Sequence, residues 1–170
     1  MGYTHNTAMS QFLSPFQFGF SAGTWTPTIT SDVIANVRTA AAAANTIFIP
    51  LEVQGNSAYR EGSMIFSVDI WYTIGTADLT DFATVTLEQV TLPGDAVAVT
   101  GVNNTGITLD ATHNTAALRK AQGQHKMTVT ITTPIWVPKT TAYYIQLIIS
   151  AAASSVLTLY GAQINFVERN

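Results

Sequence analysis

Residues 64–74 read MIFSVDIWYTI, and their alternation decides the fold. Met64, Phe66, Val68, Ile70, Tyr72 and Ile74 fall on one face of an extended chain, and Ser67, Asp69, Trp71 and Thr73 on the other. A period of two is the mark of a strand with one buried face. Residues 125–133 repeat it, with Met127, Val129 and Ile131 opposed to Lys126, Thr128, Thr130 and Thr132. That threonine face suits a solvated or lightly covered sheet surface.

Further out, strand-like runs occupy residues 26–30, 33–39, 46–53, 82–92, 97–100, 143–150 and 156–167. Within 82–92 the parity slips from Ala83, Val85 and Leu87 to Val90 and Leu92, which predicts a bulge near Glu88-Gln89. Turn chemistry separates the runs at Gly55-Asn56, Glu61-Gly62, Pro93-Gly94-Asp95, Asn103-Asn104-Thr105-Gly106 and Gln122-Gly123. The alanine run 40–44 is too short to hold a helix alone and reads as a strand end or turn. One helix of at most two turns is expected over 115–121, with Asn114 as N-cap and Gly123 as stop.

Strands without βαβ alternation close as antiparallel sheets. The expected fold is therefore all-β: an antiparallel two-sheet sandwich, a jelly roll, with an extended N-terminal arm. The arm covers 1–23 and a single sandwich domain covers 24–170. Met64, Phe66, Val68, Ile70, Met127, Val129, Ile131, Ile145, Leu147, Ile164 and Phe166 are the expected core. In the arm, Phe12, Phe16, Phe18 and Phe20 follow no period and cannot all point inward from one element. They are expected to anchor it on a neighbouring subunit. The competing reading folds the arm back over its own sandwich.

A chain of 170 residues fits one domain with a proper core. Charged residues make up 10% of it, against about 25% in ordinary soluble domains. Twenty-six Thr and 22 Ala take up that share. A net charge of −3 and scattered Lys and Arg leave no footprint for nucleic acid, so none is expected as a partner. With no Cys, thiol catalysis, thiolate-bound zinc and disulfides are excluded. Met1 to Ser10 lacks the basic and apolar regions of a secretory signal. Residues 140–167 carry no charge, yet their apolar residues alternate as in strands, so no membrane span is expected.

Sites of chemistry are few. Asp110, His113 and His125 have ligand-type side chains, but their spacing fits no standard metal pattern, and no metal or other cofactor is expected. The plainer reading puts His113 in a loop turn and His125 at a strand's rim. No nucleophile elbow or phosphate loop surrounds Ser57, Ser63, Ser67, Gly75 or Gly101. Among Glu52, Glu61, Asp69 and Glu88 no carboxylate pair stands out for hydrolysis, and Asp69 reads as a sheet-face group bonded to a hydroxyl or an arginine. The chain is not expected to be an enzyme. Trp71 and Trp136 are the candidate aromatic platform for a glycan, set against core or interface packing.

Three stretches, SMIFSVDIWYTIGTADLTDFATVTLEQVTL (63–92), HNTAALRKAQGQHKMTVTITTPIWV (113–137) and AYYIQLIISAAASSVLTLYGAQINFVER (142–169), carry a resemblance. With the Trp25-Thr26-Pro27 start, the Asp69-Ile70-Trp71-Tyr72 strand and the closing Tyr160-Gly161-Ala162…Asn165-Phe166, the chain resembles small β-rich virion-associated proteins of bacterial viruses. The resemblance spans residues 24–169 and transfers no catalytic residue. It implies a structural or decorating role: a capsid decoration, cement or fibre-base subunit, assembled in the host cytoplasm and carried on the virion. Its partners would be further copies of itself, a trimer being favoured, and other virion proteins. Low charge and aromatics outside an obvious core agree with large subunit interfaces. The alternative is a lectin-like module that binds host-surface glycans.

Overall fold

The computed structural model describes residues 5–53, 62–95, 97–104 and 106–169. They form strands β1 (Asn6–Leu13), β2 (Gly19–Phe20), β3 (Trp25–Ile29), β4 (Ile34–Arg38), β5 (Ala43–Pro50), β6 (Gly62–Gly75), β7 (Asp81–Thr91), β8 (Thr100–Asn104), β9 (Ile107–Leu109), β10 (Gly123–Trp136), β11 (Thr141–Ala151) and β12 (Val156–Arg169). A 3₁₀ turn at Pro15–Gln17 and helix α1 (Ala116–Lys120) complete the described elements.

Two antiparallel sheets face each other, one in the order β3-β4-β12-β6-β10-β9 and the other β2-β5-β11-β7-β8. The long strands pair as β4·β12, β5·β11, β6·β10 and β7·β8, and successive pairs fall in alternate sheets. That is a jelly roll: one folded ribbon wound into a sandwich. The expected all-β two-sheet architecture is what the chain adopts. The uncharged stretch near the end is two strands, β11 and β12, and no helix among the described residues is long and apolar enough to cross a membrane.

The core lies between the sheets, with Val68, Ile70, Met127, Val129, Ile131, Ile145, Leu147, Ile164 and Phe166 buried as the alternation requires. Met64 and Phe66 are corrections. Both are only partly buried, and Ile65 takes the core position. Asn165 pairs with Ser67 and Phe166 with Ile65, so Phe66 has no partner on β12. This bulge reverses the parity of β6, which the uniformly apolar faces of MIF conceal.

A second bulge makes Tyr160 the extra residue on β12, between Leu159↔Tyr72 and Gly161↔Trp71. Gly161 has φ +136°, and a β-carbon there would lie 2.5 Å from the Phe12 ring and 2.7 Å from the Leu13 carbonyl oxygen. Only glycine fits between β12 and β1.

Other boundaries moved. Pairing of β7 with β11 runs unbroken from Thr84 to Thr91 and shifts between Ile148 and Ser150, so the β7 irregularity sits beside Phe82 and Ala83, not at Glu88-Gln89. Residues 97–99 are not strand. The edge strand β8 instead takes in Asn103 and Asn104, expected as a turn, because Glu88 and Leu87 offer them ladder partners. The cap of α1 is Thr115, whose hydroxyl accepts the Leu118 amide, rather than Asn114. The expected turn at Gly55-Asn56 and residues Ser57, Glu61 and Thr105 lie outside the described residues.

Candidate functional site

The first 23 residues were expected to be an arm, and the structure builds their described part into the sandwich. β1 pairs with β12 from Asn6↔Arg169 to Leu13↔Ala162. Leu13 is fully buried, and the Asn36 side chain donates to the Pro15 carbonyl at 2.7 Å. Phe18 is buried in the chain's own core, and Phe20 stacks on Trp25 with ring centroids 4.1 Å apart. Phe18 as an anchor on a neighbour is therefore corrected, because the chain's own core buries it, while Phe20 is half-buried against Trp25. Phe12 and Phe16 stay open to solvent at 59% and 42% exposure.

Asp110, His113 and His125 do come together, as a hydrogen-bonded chain at one end of the sandwich. His113 Nδ1 lies 2.9 and 3.0 Å from the two Asp110 oxygens, and His113 Nε2 lies 3.1 Å from His125 Nδ1. His125 Nε2 reaches the Ala121 carbonyl at 2.8 Å. A carbonyl only accepts, so His125 donates from Nε2 and accepts at Nδ1. His113 Nδ1 donates to the Asp110 carboxylate, which can only accept. The chain runs from the Asp110 carboxylate through both imidazoles to the Ala121 carbonyl, with a single hydrogen bond joining the two rings.

The electrostatics agree. Partial burial opposes the charge on Asp110, but it is outweighed by the Thr112 hydroxyl, the Thr128 amide and His113, and the carboxyl is held well below the usual range. Burial pushes the His125 imidazole down, and the charge of His113 lowers it further against the raising effect of the Ala121 carbonyl. Its ring stacks on Tyr72 at 4.6 Å and 10°.

Arg119, buried in α1, locks this loop to β7. Its guanidinium donates to the carbonyls of Phe82 (3.0 Å), His113 (2.8 Å) and Ala83 (2.8 Å), meeting β7 where its ladder is irregular. Tyr72 in turn donates its hydroxyl to the Arg119 carbonyl at 3.0 Å. These polar groups are spent on one another, and among the described residues no group of three or more His, Asp or Glu is placed to hold a metal ion.

Trp71 and Trp136 are not neighbours. On β10, Trp71 faces Lys126 and Trp136 faces Met64, seven residues apart along β6. At the strand spacing of about 3.3 Å per residue, that is roughly 23 Å. Trp71 is joined instead by Tyr160: a groove of about 270 Å³ is lined by these two with Tyr72, Thr73, Gln124 and His125. The signal that could have found Tyr160 is the Tyr-Gly pair inside an otherwise alternating run. Asp69, on the same sheet, accepts the Thr128 hydroxyl at 2.6 Å, as expected, and also pairs with Lys126 at 3.1 Å.

No family model and no curated protein matches the chain. Among solved structures, the chain is similar to the enzymatically active domain of bacteriophage CBA120 tailspike protein 4, with a TM-score of 0.36 and 11% identity. The match covers 93% of this chain and 19% of that one. A likeness this distant carries no functional argument, so function rests on the chain's own features.

Proposed function

We propose that the chain is a non-enzymatic structural subunit of a virus particle, a capsid decoration, cement or fibre-base protein that assembles as a symmetric homo-oligomer. The observation that carries the reading is where the exposed apolar residues lie on the jelly roll. Met9, Phe12 and Phe16 fall within eight residues of the N-terminal strand and turn, while Leu92, Val97, Val99 and Val102 fall along the β7–β8 edge. Apolar groups collected in this way mark interaction surfaces, whereas single exposed ones need no explanation. Jelly rolls recur in viral capsid and lectin domains, which is an analogy of fold and is used only as such. The sequence resemblance to virion-associated proteins points the same way. A non-catalytic role is supported by the Asp110–His113–His125 chain, which ends on a backbone carbonyl and leaves neither His125 nitrogen free as acid or base.

The subunit anchors under this reading are Phe12 and Phe16, from β1 and the turn after it. Light scattering on the eluted chain should give a whole multiple of 18.2 kDa, with three copies expected. The double variant Phe12→Ser, Phe16→Ser should return one copy with an unchanged β-type circular dichroism spectrum. Mass spectrometry of the purified particle should find the chain at a copy number set by the particle's symmetry. A wild-type chain that is monomeric at about 100 µM, or absent from the particle, overturns the reading.

A further inference from the structure

We propose that the groove between Trp71 and Tyr160 binds one ring of a neutral sugar. Three adjacent strands build it. β6 supplies Trp71 and Thr73, β10 supplies Gln124 opposite Thr73, and β12 supplies Tyr160 from the bulge. A bulge bends its strand and raises the local twist, and this one sets Tyr160 in the groove with Trp71.

The chemistry of the lining selects the ligand class. Trp71 and Tyr160 offer aromatic faces, and the His125 ring offers only its carbon edge because both of its nitrogens are bonded. Among the described residues, the Gln124 amide and the Tyr160 hydroxyl have no protein hydrogen-bond partner. The Thr73 hydroxyl has none either, but it is closed off from solvent and so turned away from a ligand in the groove. A few unpaired polar groups set among aromatic walls are what a ligand with both C–H faces and hydroxyls requires.

Charge and size narrow it further. Lys126, 5.4 Å over the Trp71 ring, is already paired with Asp69, so no uncompensated charge faces the groove and an anion gains nothing there. β6 is paired on both sides, so no strand edge is free for a peptide. A space of about 270 Å³ lies just under the roughly 300–1,000 Å³ of drug-sized sites, which suits a single ring. The site requires no subunit contact, so its failure would leave the assembly reading standing.

The test is a titration of the isotopically labelled full chain with glucose, galactose, mannose and N-acetylglucosamine, one at a time, followed by NMR. At least one sugar should shift the Trp71 indole and Gln124 side-chain signals saturably, with a Kd on the order of 1 mM. Trp71→Ala should weaken binding at least about tenfold. Trp136→Ala should leave the affinity as it was. Because Trp71→Ala removes a large sheet residue, Gln124→Ala provides a second variant at an exposed position and should also weaken binding. No saturable shift with any of the four sugars up to about 100 mM overturns the proposal. So does binding that survives both Trp71→Ala and Gln124→Ala.

Discussion

Among the described residues two arginines are buried in this sandwich, and they are served very differently. Arg119 is 5% exposed and each of its three nitrogens donates to a carbonyl, all at 3.0 Å or less. Arg38, on β4, is fully buried and donates to the Ala41 carbonyl at 2.6 Å and to Thr39 at 3.4 Å, while its Nε has no partner among the described residues. The side-chain oxygen of Asn45 is left unpaired in the same corner. Gly23 closes that corner at φ +84°, where a β-carbon would lie 2.6 Å from the Asn45 oxygen and 3.4 Å from Arg38 Nε. A buried guanidinium stabilises a fold when it satisfies carbonyls that nothing else can reach, and contributes little when its own donors stay unpaired. The Arg119 corner is a staple. The Arg38 corner is a tolerated compromise beneath the N-terminal segment.

The sharpest way to break this contrast is Arg119→Leu. It strands the carbonyls of Phe82, Ala83 and His113 together, and urea unfolding should show a loss of about 3 kcal/mol or more. If the loss is no larger than that of Arg38→Leu, the contrast is wrong. Next comes Gly23→Ala. The positive φ and the contact with Asn45 should cost about 2 kcal/mol, read as a lower urea midpoint with unchanged slope. Arg38→Leu itself should cost about 1 kcal/mol or less, since it removes an unpaired donor along with one good hydrogen bond.

The smallest effect is a pH dependence confined to the Arg119 side. Burial keeps the folded pKa of His125 below its ordinary value of 6.5, so the unfolded chain takes up the proton first as pH falls. Stability from this group is complete above pH 6.5 and declines below it. Asp110, held below its ordinary 3.8, adds a further loss as the pH drops beneath that value. His125→Phe keeps a ring on Tyr72 and removes the titration. It should lower Tm somewhat at neutral pH and at least halve the fall in Tm between about pH 7.5 and about pH 5. An unchanged slope would show that His125 does not couple folding to pH.

Much of this was legible in the residues. Alternation over Met127 to Ile131 in β10 and at Ile145 and Leu147 in β11 named core positions without error, because these residues alternate with Thr128, Thr130 and Gln146. The same rule failed over Met64-Ile65-Phe66, where both faces are apolar and parity carries no information. It also failed for β1, where Asn6 to Leu13 looks polar because it lies along a sheet margin and buries only its last residue. Asp110, His113 and His125 were noticed as a group, yet their order as a proton-matched chain depends on the short helix that brings Ala121 beneath His125.

The sequence by itself determined the class of fold. Period-two patterning and the absence of a long amphipathic segment left antiparallel sheets as the way to bury these side chains. Only the tertiary structure decided which aromatics share a surface and which arginine is satisfied. Those outcomes hang on two bulges and on pairings between strands up to 163 residues apart, such as Asn6 with Arg169. Alternation is a local property set by the pleat. Register between distant strands is fixed only when both faces find their partners, so one inserted residue moved Tyr160 beside Trp71 and left Trp136 at the far end of the strand.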